Sequence, residues 1–154
     1  MKVLTREDAF EHFNQPCIEV RGYSSIEEGA FENRHDLMVV ILHDVVSIGS
    51  GGFQNCSRLH QIQFGNKLEL VADKAFEGCH KLDTVCFPKT IKSIKSKAFA
   101  KCTEEVVAGG QLVRPIPYKL IKFVKGTKNL TYLSTRAFQN IGSTCTIDLG
   151  PNPK

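Results

Sequence analysis

The residues of this chain that could do chemistry are its cysteines and histidines, six and five in 154 residues. These residue types serve as nucleophiles, bases, metal ligands or disulfide partners. A zinc site could be assembled from Cys56, His60, Cys79 and His80, but their spacing lacks the C-x-x-C pairs typical of structural zinc sites. The spacing therefore predicts no metal centre.

Three cysteines follow a strict period. Cys56, Cys79 and Cys102 are 23 residues apart, and each follows a Phe by three positions. A fixed period of this length is typical of stacked repeats. Because the three residues share one repeat position, we expect a ladder of small buried thiols, reduced in a compartment without disulfides.

Cys86 is different, because it lies between the apolar residues Val85 and Phe87 and is predicted to face outward. A small cysteine-dependent enzyme using Cys86 with His60 or His80 is therefore an alternative. No orienting carboxylate recurs beside these histidines, and the chain has no glycine-rich phosphate loop or G-x-S-x-G motif. We predict no enzyme activity, no catalytic residue and no cofactor.

The repeat itself predicts the elements that position these residues. Apolar residues recur five and eight positions before each Phe and six, nine and eleven positions after it. The segments I-x-F and V-x-F alternate as half-buried strands do, and they predict six parallel rungs of one sheet. These rungs are 18–20, 40–42, 62–64, 85–87, 121–123 and 147–149. The A-F-x-x-C segment is predicted to form a helical turn or 3₁₀ piece on the opposite wall.

The pattern L-x-x-I-x-F-P-x-x-I-x-x-I-x-x-x-A-F-x-x-C resembles the BspA-type leucine-rich repeat. The residues that carry it are Leu82, Val85, Phe87, Pro88, Ile91, Ile94, Ala98, Phe99 and Cys102. The resemblance implies an α/β fold, a right-handed leucine-rich repeat solenoid of about five to six coils with its parallel β-sheet on the concave face. Members of the family are typically engaged in adhesion or protein recognition at bacterial surfaces and in protists.

We expect a single domain over residues 1–154, divided into four parts: an N-terminal helical cap at 1–17, regular repeats at 18–102, an insertion at 103–118, and a degenerate last repeat with a C-terminal cap at 119–154. In the cap, Thr5 is predicted as N-cap with Asp8 three residues later, and Ala9, Phe10 and Phe13 are predicted to face inward. A helix that docks on a partner is the alternative.

Two regions are candidate partner-binding sites. The first is the outward row of the strands: Val39, Ile41, Gln61, Gln63, Thr84 and Cys86. Val39 and Ile41 would form an exposed apolar patch, unless an N-terminal segment covers them. The second is the insertion, where Gly109 and Gly110 could turn a hairpin and Leu112 and Arg114 would contact the partner. An eroded repeat is the alternative reading of the insertion.

Charge is divided unevenly, with a balance of −5 over residues 1–86 and +9 over residues 87–154. The basic half would suit an anionic partner, and a solvated lysine-rich wall is the alternative. Nucleic acid is not favoured, because no recognition motif accompanies the charge. No apolar run is long enough to span a bilayer, and no signal peptide is recognised at the start, so a cytoplasmic location is expected, with surface exposure or non-classical secretion as alternatives.

Together these features predict a non-enzymatic protein–protein interaction module. It would bind a protein partner through the concave sheet and the inserted loop. The alternative is a structural or adhesive fragment of a cell-surface repeat array.

Overall fold

The computed structural model describes residues 1–102, 106–108, 111–113, 120–123, 129–141 and 146–148. Its elements begin with β1 (Val3–Leu4), α1 (Arg6–His12), β2 (Cys17–Val20), β3 (Ser25–Ile26), β4 (Val39–Leu42), β5 (Ser47–Ile48), β6 (Gln61–Phe64) and β7 (Leu70–Val71). They continue with β8 (Thr84–Phe87), β9 (Ser93–Ile94), β10 (Val106–Ala108), β11 (Gln111–Val113), β12 (Leu120–Phe123), β13 (Tyr132–Leu133) and β14 (Thr146–Asp148).

The longer strands form one parallel sheet in the order β14-β12-β8-β6-β4-β2, which we call the long-strand sheet. All six predicted rungs are confirmed to within one residue at each end. Alternation places one side of each strand in the core, so that Val40, Ile62 and Val85 are buried. The expected leucine-rich repeat solenoid, built from stacked parallel strands, is therefore confirmed.

A second parallel sheet runs along another side of the coils in the order β1-β3-β5-β7-β9-β13. Each of its strands has two residues, and from β3 onward the second is the apolar residue five positions before the Phe. Ile26, Ile48 and Val71 are buried in this way at 2 %, 0 % and 0 % exposure. The sequence did not reveal this short-strand sheet, because two residues are too few to show a period of two.

The third side of each coil, here called the turn wall, differs from the prediction. The A-F-x-x-C segments contain no 3₁₀ helix in the described part of the chain; they form consecutive turns instead. Alternate backbone N–H groups donate to the next coil, as Phe53 N does to Ala75 O (2.8 Å) and Asn55 N to Glu77 O (2.8 Å). This inter-coil ladder satisfies backbone groups that a 3₁₀ turn would satisfy within one coil.

The Phe residues of the repeat stack inside the turn wall as one column. Phe31, Phe53, Phe76, Phe99 and Phe138 lie in successive coils. The ring centroids of Phe53 and Phe76 are 5.2 Å apart with an interplanar angle of 4°. Phe76 and Phe99 follow at 5.0 Å and 10°. Offset stacking of buried rings adds to the free energy of burial, so this column is a principal part of the core.

The helix at the N-terminus has the predicted N-cap. Thr5 Oγ1 accepts from Asp8 N, and the Asp8 carboxylate accepts from Thr5 N, which completes a capping box. Ala9 is buried and Phe13 packs against the core, as expected. The inward placement of Phe10 is wrong, since 81 % of Phe10 is exposed. Phe10 directly follows Ala9 and so lies about 100° around the helix from it, which explains the difference.

Candidate partner-binding surface

The exposed side of the long-strand sheet carries two rows of side chains, one residue from each strand per row. Parallel register aligns Cys17 with Val39 and Val39 with Gln61, and aligns Glu19 with Ile41 and Ile41 with Gln63. The rows continue to Thr84 and Cys86 on β8. The predicted outward positions therefore lie on one face, as the period of two requires.

Exposure along this face is graded. Gln61, Gln63, Thr84 and Cys86 are exposed, whereas Val39 and Ile41 are half-buried. The prediction that Cys86 faces outward is confirmed. The predicted exposed patch at Val39 and Ile41 is reduced, because branched side chains in adjacent rows of a sheet cover part of one another.

The exposed face of the sheet carries a groove over β6 and β8. These two strands share one registered pair, Gln61 with Thr84, whereas β4 and β6 share four. The groove has a volume of about 520 Å³. Its lining residues are His60, Gln61, Ile62, Gln63, Lys81, Asp83, Thr84 and Cys86. Four predicted site residues are thus brought together at one place.

Some lining residues were not predicted as site residues. His60 and Asp83 each stand directly before a strand, at one position of the repeat. That shared position was the signal that could have identified them. Amide, hydroxyl, carboxylate and ammonium groups around the groove can donate and accept hydrogen bonds, which suits an extended peptide segment.

The groove also brings Cys86 near His60, the pair required by a cysteine-dependent enzyme. In the described part of the chain no hydrogen bond joins the Cys86 thiol to the His60 ring. Nucleophilic catalysis needs a base within hydrogen-bond reach of the nucleophile and a third group that orients the base. The described residues also form no cluster suited to a metal ion.

An ionic cluster marks the β2 end of this face. Glu19 accepts from both His43 and Arg21, with 2.5 Å between His43 Nε2 and Glu19 Oε1. The hydrogen bond from His43, followed by that from Arg21, lowers the pKa of Glu19. The cluster places the charges of Glu19 and Arg21 at this end of the face, away from the groove at β6 and β8.

The segment 103–118, which the sequence predicts to be an insertion, contains a hairpin. Strands β10 and β11 pair antiparallel, with Val106 opposite Val113 and Ala108 opposite Gln111. The predicted hairpin is thereby confirmed. Of the predicted site residues, Leu112 lies in β11, while Gly109, Gly110 and Arg114 lie outside the described residues.

The Cys ladder lies on the buried side of the coils and not in the candidate surface. Cys56, Cys79 and Cys102 are 0 %, 0 % and 4 % exposed. Each thiol donates to the carbonyl oxygen of a Phe in the preceding coil, at 3.1, 3.2 and 3.1 Å. The predicted buried ladder is confirmed. Burial also raises the pKa of Cys79 well above the ordinary thiol value.

Comparison with known families identifies the repeat. Residues 6–106 match the BspA type leucine rich repeat region in six copies, so the chain belongs to this family. Within the described residues, no helix is long and apolar enough to cross a membrane.

Solved structures show the same fold. A leucine-rich repeat protein from Bacteroides ovatus has a TM-score of 0.55 at 22 % identity over 82 % of this chain and 35 % of its own. A leucine rich cell surface protein from Faecalibacterium prausnitzii has a TM-score of 0.55 at 26 % identity over 84 % of this chain and 34 % of its own. This chain therefore spans about a third of the length of these two proteins. No curated protein matches the sequence.

Proposed function

We propose that the protein is a non-enzymatic module that binds a protein partner through the exposed face of the long-strand sheet. The observation that carries this proposal is the groove between β6 and β8, lined by Gln61, Gln63, Thr84 and Cys86. A repeat scaffold presents such a face as an extended surface and encloses no reaction chamber.

The geometry favours an extended segment of the partner. Gln61 and Gln63 lie two residues apart on one strand, so their amides are about 6.6 Å apart along it. That distance matches the spacing of backbone groups on one side of an extended peptide. Each amide both donates and accepts, so a peptide laid along β6 would find complementary partners without any change of the scaffold.

The inserted segment 103–118 forms the second part of the proposed binding site. Its hairpin follows β9 and precedes β12, which pairs with β8. Insertions in stacked repeats map to loops and frequently to the binding face. Gly109, Gly110, Leu112 and Arg114 are the residues of this segment that we propose as contacts.

A photo-crosslinking experiment tests the sheet surface. A benzophenone amino acid at position 63 should form adducts with one protein from the native source, and the same group at Gln139 on the turn wall should not. Gln63→Arg together with Thr84→Arg should then abolish binding of the identified protein, while Gln139→Arg leaves it unchanged. Equal adducts from both positions would contradict a specific surface.

Deletion of 106–113 tests the insertion separately. We expect weaker binding of the same partner with an unchanged thermal unfolding midpoint of the repeats. Unchanged binding would restrict the site to the sheet.

A second candidate function is a structural or adhesive part of a cell-surface repeat array. It is supported by the 26 % identity to a leucine rich cell surface protein, of which this chain covers 34 %. Labelling of intact source cells with a membrane-impermeant amine reagent distinguishes the two functions. Labelling of this protein supports the array, and labelling only after lysis contradicts it.

A further inference from the structure

The turn wall of the later coils carries a column of cations. Lys74, Lys97 and Arg136 each stand two residues before the Phe of their coil. The backbone ladder joins them, since Lys74 N donates to Ser96 O and Lys97 N donates to Arg136 O. The neighbouring Phe rings are 5.0 and 5.6 Å apart, so the three coils place their cations close together along the solenoid axis.

Two of these cations hold an unfavourable backbone conformation. The φ angles of Lys74 and Lys97 are 57° and 56°, in the left-handed region. The same position in the first two coils is occupied by Gly29 and Gly51, at 63° and 61°. Glycine adopts this conformation without a steric penalty, whereas lysine does not. The later coils therefore have a charged side chain where the backbone favours glycine.

The three cations also differ from other lysines of the described coils in their ion pairing. Lys67 and Lys92, elsewhere in the coils, pair with Asp44 and Glu69, both at 2.8 Å. Among the described residues, no carboxylate lies within ion-pair distance of Lys74, Lys97 or Arg136. Like charges on adjacent rungs repel one another. The left-handed backbone and the repulsion between the cations both lower the stability of the fold, and no interaction described for these side chains offsets this. Such a combination is typical of a functional surface.

Other charged residues near the column have partners of their own. Lys101 lies two residues after Phe99 and is 3.6 Å from the Glu77 carboxylate, which also accepts from Gln54. Asp73, next to Lys74, accepts from the backbone N–H of Ser96. Lys95 lies on the Tyr132 ring, with its Nζ 4.4 Å from the centroid. We call Lys74, Lys97 and Arg136 the basic column.

We propose that the basic column binds a linear acidic polysaccharide, through ion pairs to successive sulfate or carboxylate groups along the sugar chain. A row of cations that repeats once per coil suits a ligand whose charges also repeat along a line. This surface is on a different side of the coils from the groove, so the proposal is independent of the proposed protein partner.

The surroundings of the column favour a polysaccharide over other polyanions. Single-stranded nucleic acids are held by exposed aromatic platforms as well as by cations. The nearby exposed ring, Tyr132, has the ammonium group of Lys95 over its face. The large exposed apolar residues of the described chain, Met1, Val3, Phe10, Tyr132 and Leu133, include none on the turn wall, so the column offers a ligand charge without an apolar anchor.

Binding of fluorescent heparin to the full chain at low ionic strength tests this proposal. The variant Lys74→Gly/Lys97→Gly removes two charges from the column and restores the residue that the first coils have there. We expect its Kd for heparin to rise by about five- to tenfold. The matched control Lys67→Gln/Lys92→Gln removes two charges from paired lysines and should bind as the unmodified protein does. Both variants should remain folded by circular dichroism.

Each other outcome overturns the proposal. No binding by the unmodified protein excludes the site, and equal weakening by both variants means that net charge alone is responsible. Single-stranded oligothymidine and poly-glutamate of matched charge are measured in parallel. If either binds more tightly than heparin and loses affinity in Lys74→Gly/Lys97→Gly, the column serves a nucleic acid or an acidic protein instead.

Discussion

At the scale of single residues, the repeating cysteines act through hydrogen bonding and packing. A thiol is a small apolar group with a weak donor, and here each donor faces a Phe carbonyl of the preceding coil. The first coil has Arg34 at this position, and its guanidinium donates to Phe13 O at 2.8 Å. The position therefore keeps its role as a donor to the preceding turn, while Arg34 extends that contact to the segment after α1.

The raised pKa of Cys79 predicts a loss of stability at alkaline pH. Its pKa is higher in the folded state than in the unfolded chain, because burial disfavours the thiolate. The stabilisation that the buried Cys79 thiol gives the folded state is complete below the ordinary thiol pKa of about 8.5. As the pH rises above that value, the free energy of unfolding falls by up to ~1.4 kcal/mol per pH unit. Urea unfolding in reductant at increasing pH measures the slope.

The control for this prediction is Cys79→Ala, which lacks the titrating group. Its unfolding free energy should fall less steeply with pH than that of the unmodified protein. Equal slopes for the two proteins would show that the Cys79 thiol does not contribute.

Ser93 offers a second prediction at this scale. Its hydroxyl oxygen in β9 is buried and has no hydrogen-bond partner among the described residues. Removing an unsatisfied buried polar group is expected to leave the free energy of unfolding unchanged or to raise it by up to ~1 kcal/mol. Chemical denaturation of Ser93→Ala measures this effect.

Thr90→Ala is the matched control, because Thr90 Oγ1 donates to Leu68 O at 2.8 Å. Its loss should lower the free energy of unfolding by ~1 kcal/mol. A comparable loss in Ser93→Ala would mean that the Ser93 hydroxyl is bonded after all.

At the scale of the elements, the turn wall of the first four coils is built from paired left-handed residues. One stands two positions before the Phe and one two positions after it, as Gly51 and Asn55 do at 61° and 59°. Lys74 and Gly78 repeat the pair in the next coil at 57° and 76°. These conformations direct alternate N–H groups toward the following coil, which is how the turns form a ladder.

Substitutions at this pair should act in opposite directions. Lys74→Gly should raise the free energy of unfolding by about 0.5–1 kcal/mol, because the relief of left-handed strain exceeds the backbone entropy of glycine. Gly78→Ala should lower it by about 1–2 kcal/mol. The new Cβ would also lie 2.5 Å from Asn55 Oδ1. Thermal unfolding compares the two variants. A Lys74→Gly variant less stable than the unmodified protein would show that the backbone at Lys74 is not strained.

The sequence alone predicted the elements whose pattern extends over several residues. The six long strands alternate over three or four residues, and Thr5 with Asp8 forms a recognisable capping box. Other elements leave no such signal. Ser47–Ile48 is too short to show a period of two. The left-handed φ of Lys74 and Lys97 could not be predicted, because lysine rarely adopts that conformation.

The candidate surface was predictable in part. Alternation identified Gln61, Gln63, Thr84 and Cys86 as outward residues, but not that β6 and β8 share only one registered pair there. The extent of pairing between two coils depends on how they pack, which no local pattern encodes. The partial burial of Val39 and Ile41 was missed for the same reason, since it depends on the neighbouring strands.

At the scale of the whole molecule, the coils form a chain of nearest neighbours. Phe76 has a stacked ring on both sides, at 5.2 and 5.0 Å, and is fully buried. Phe138 stacks on Phe99 at 5.6 Å and is only half-buried. In such an array the stability of one coil depends on the interfaces that it shares with its neighbours.

This arrangement predicts different consequences for the same substitution in two coils. Phe76→Ala should cost about 3–5 kcal/mol and unfold the coils together, because it removes two stacked contacts from the middle of the array. Phe138→Ala should cost less and release mainly the last coil, since Phe99 still stacks on Phe76.

Native-state hydrogen exchange measures this at the amides of Phe53 and Phe99, which donate to Ala75 O and Ala137 O. In Phe138→Ala the Phe99 amide should lose protection while the Phe53 amide keeps it. In Phe76→Ala both should lose protection, and loss restricted to one of them would show that the coils unfold independently.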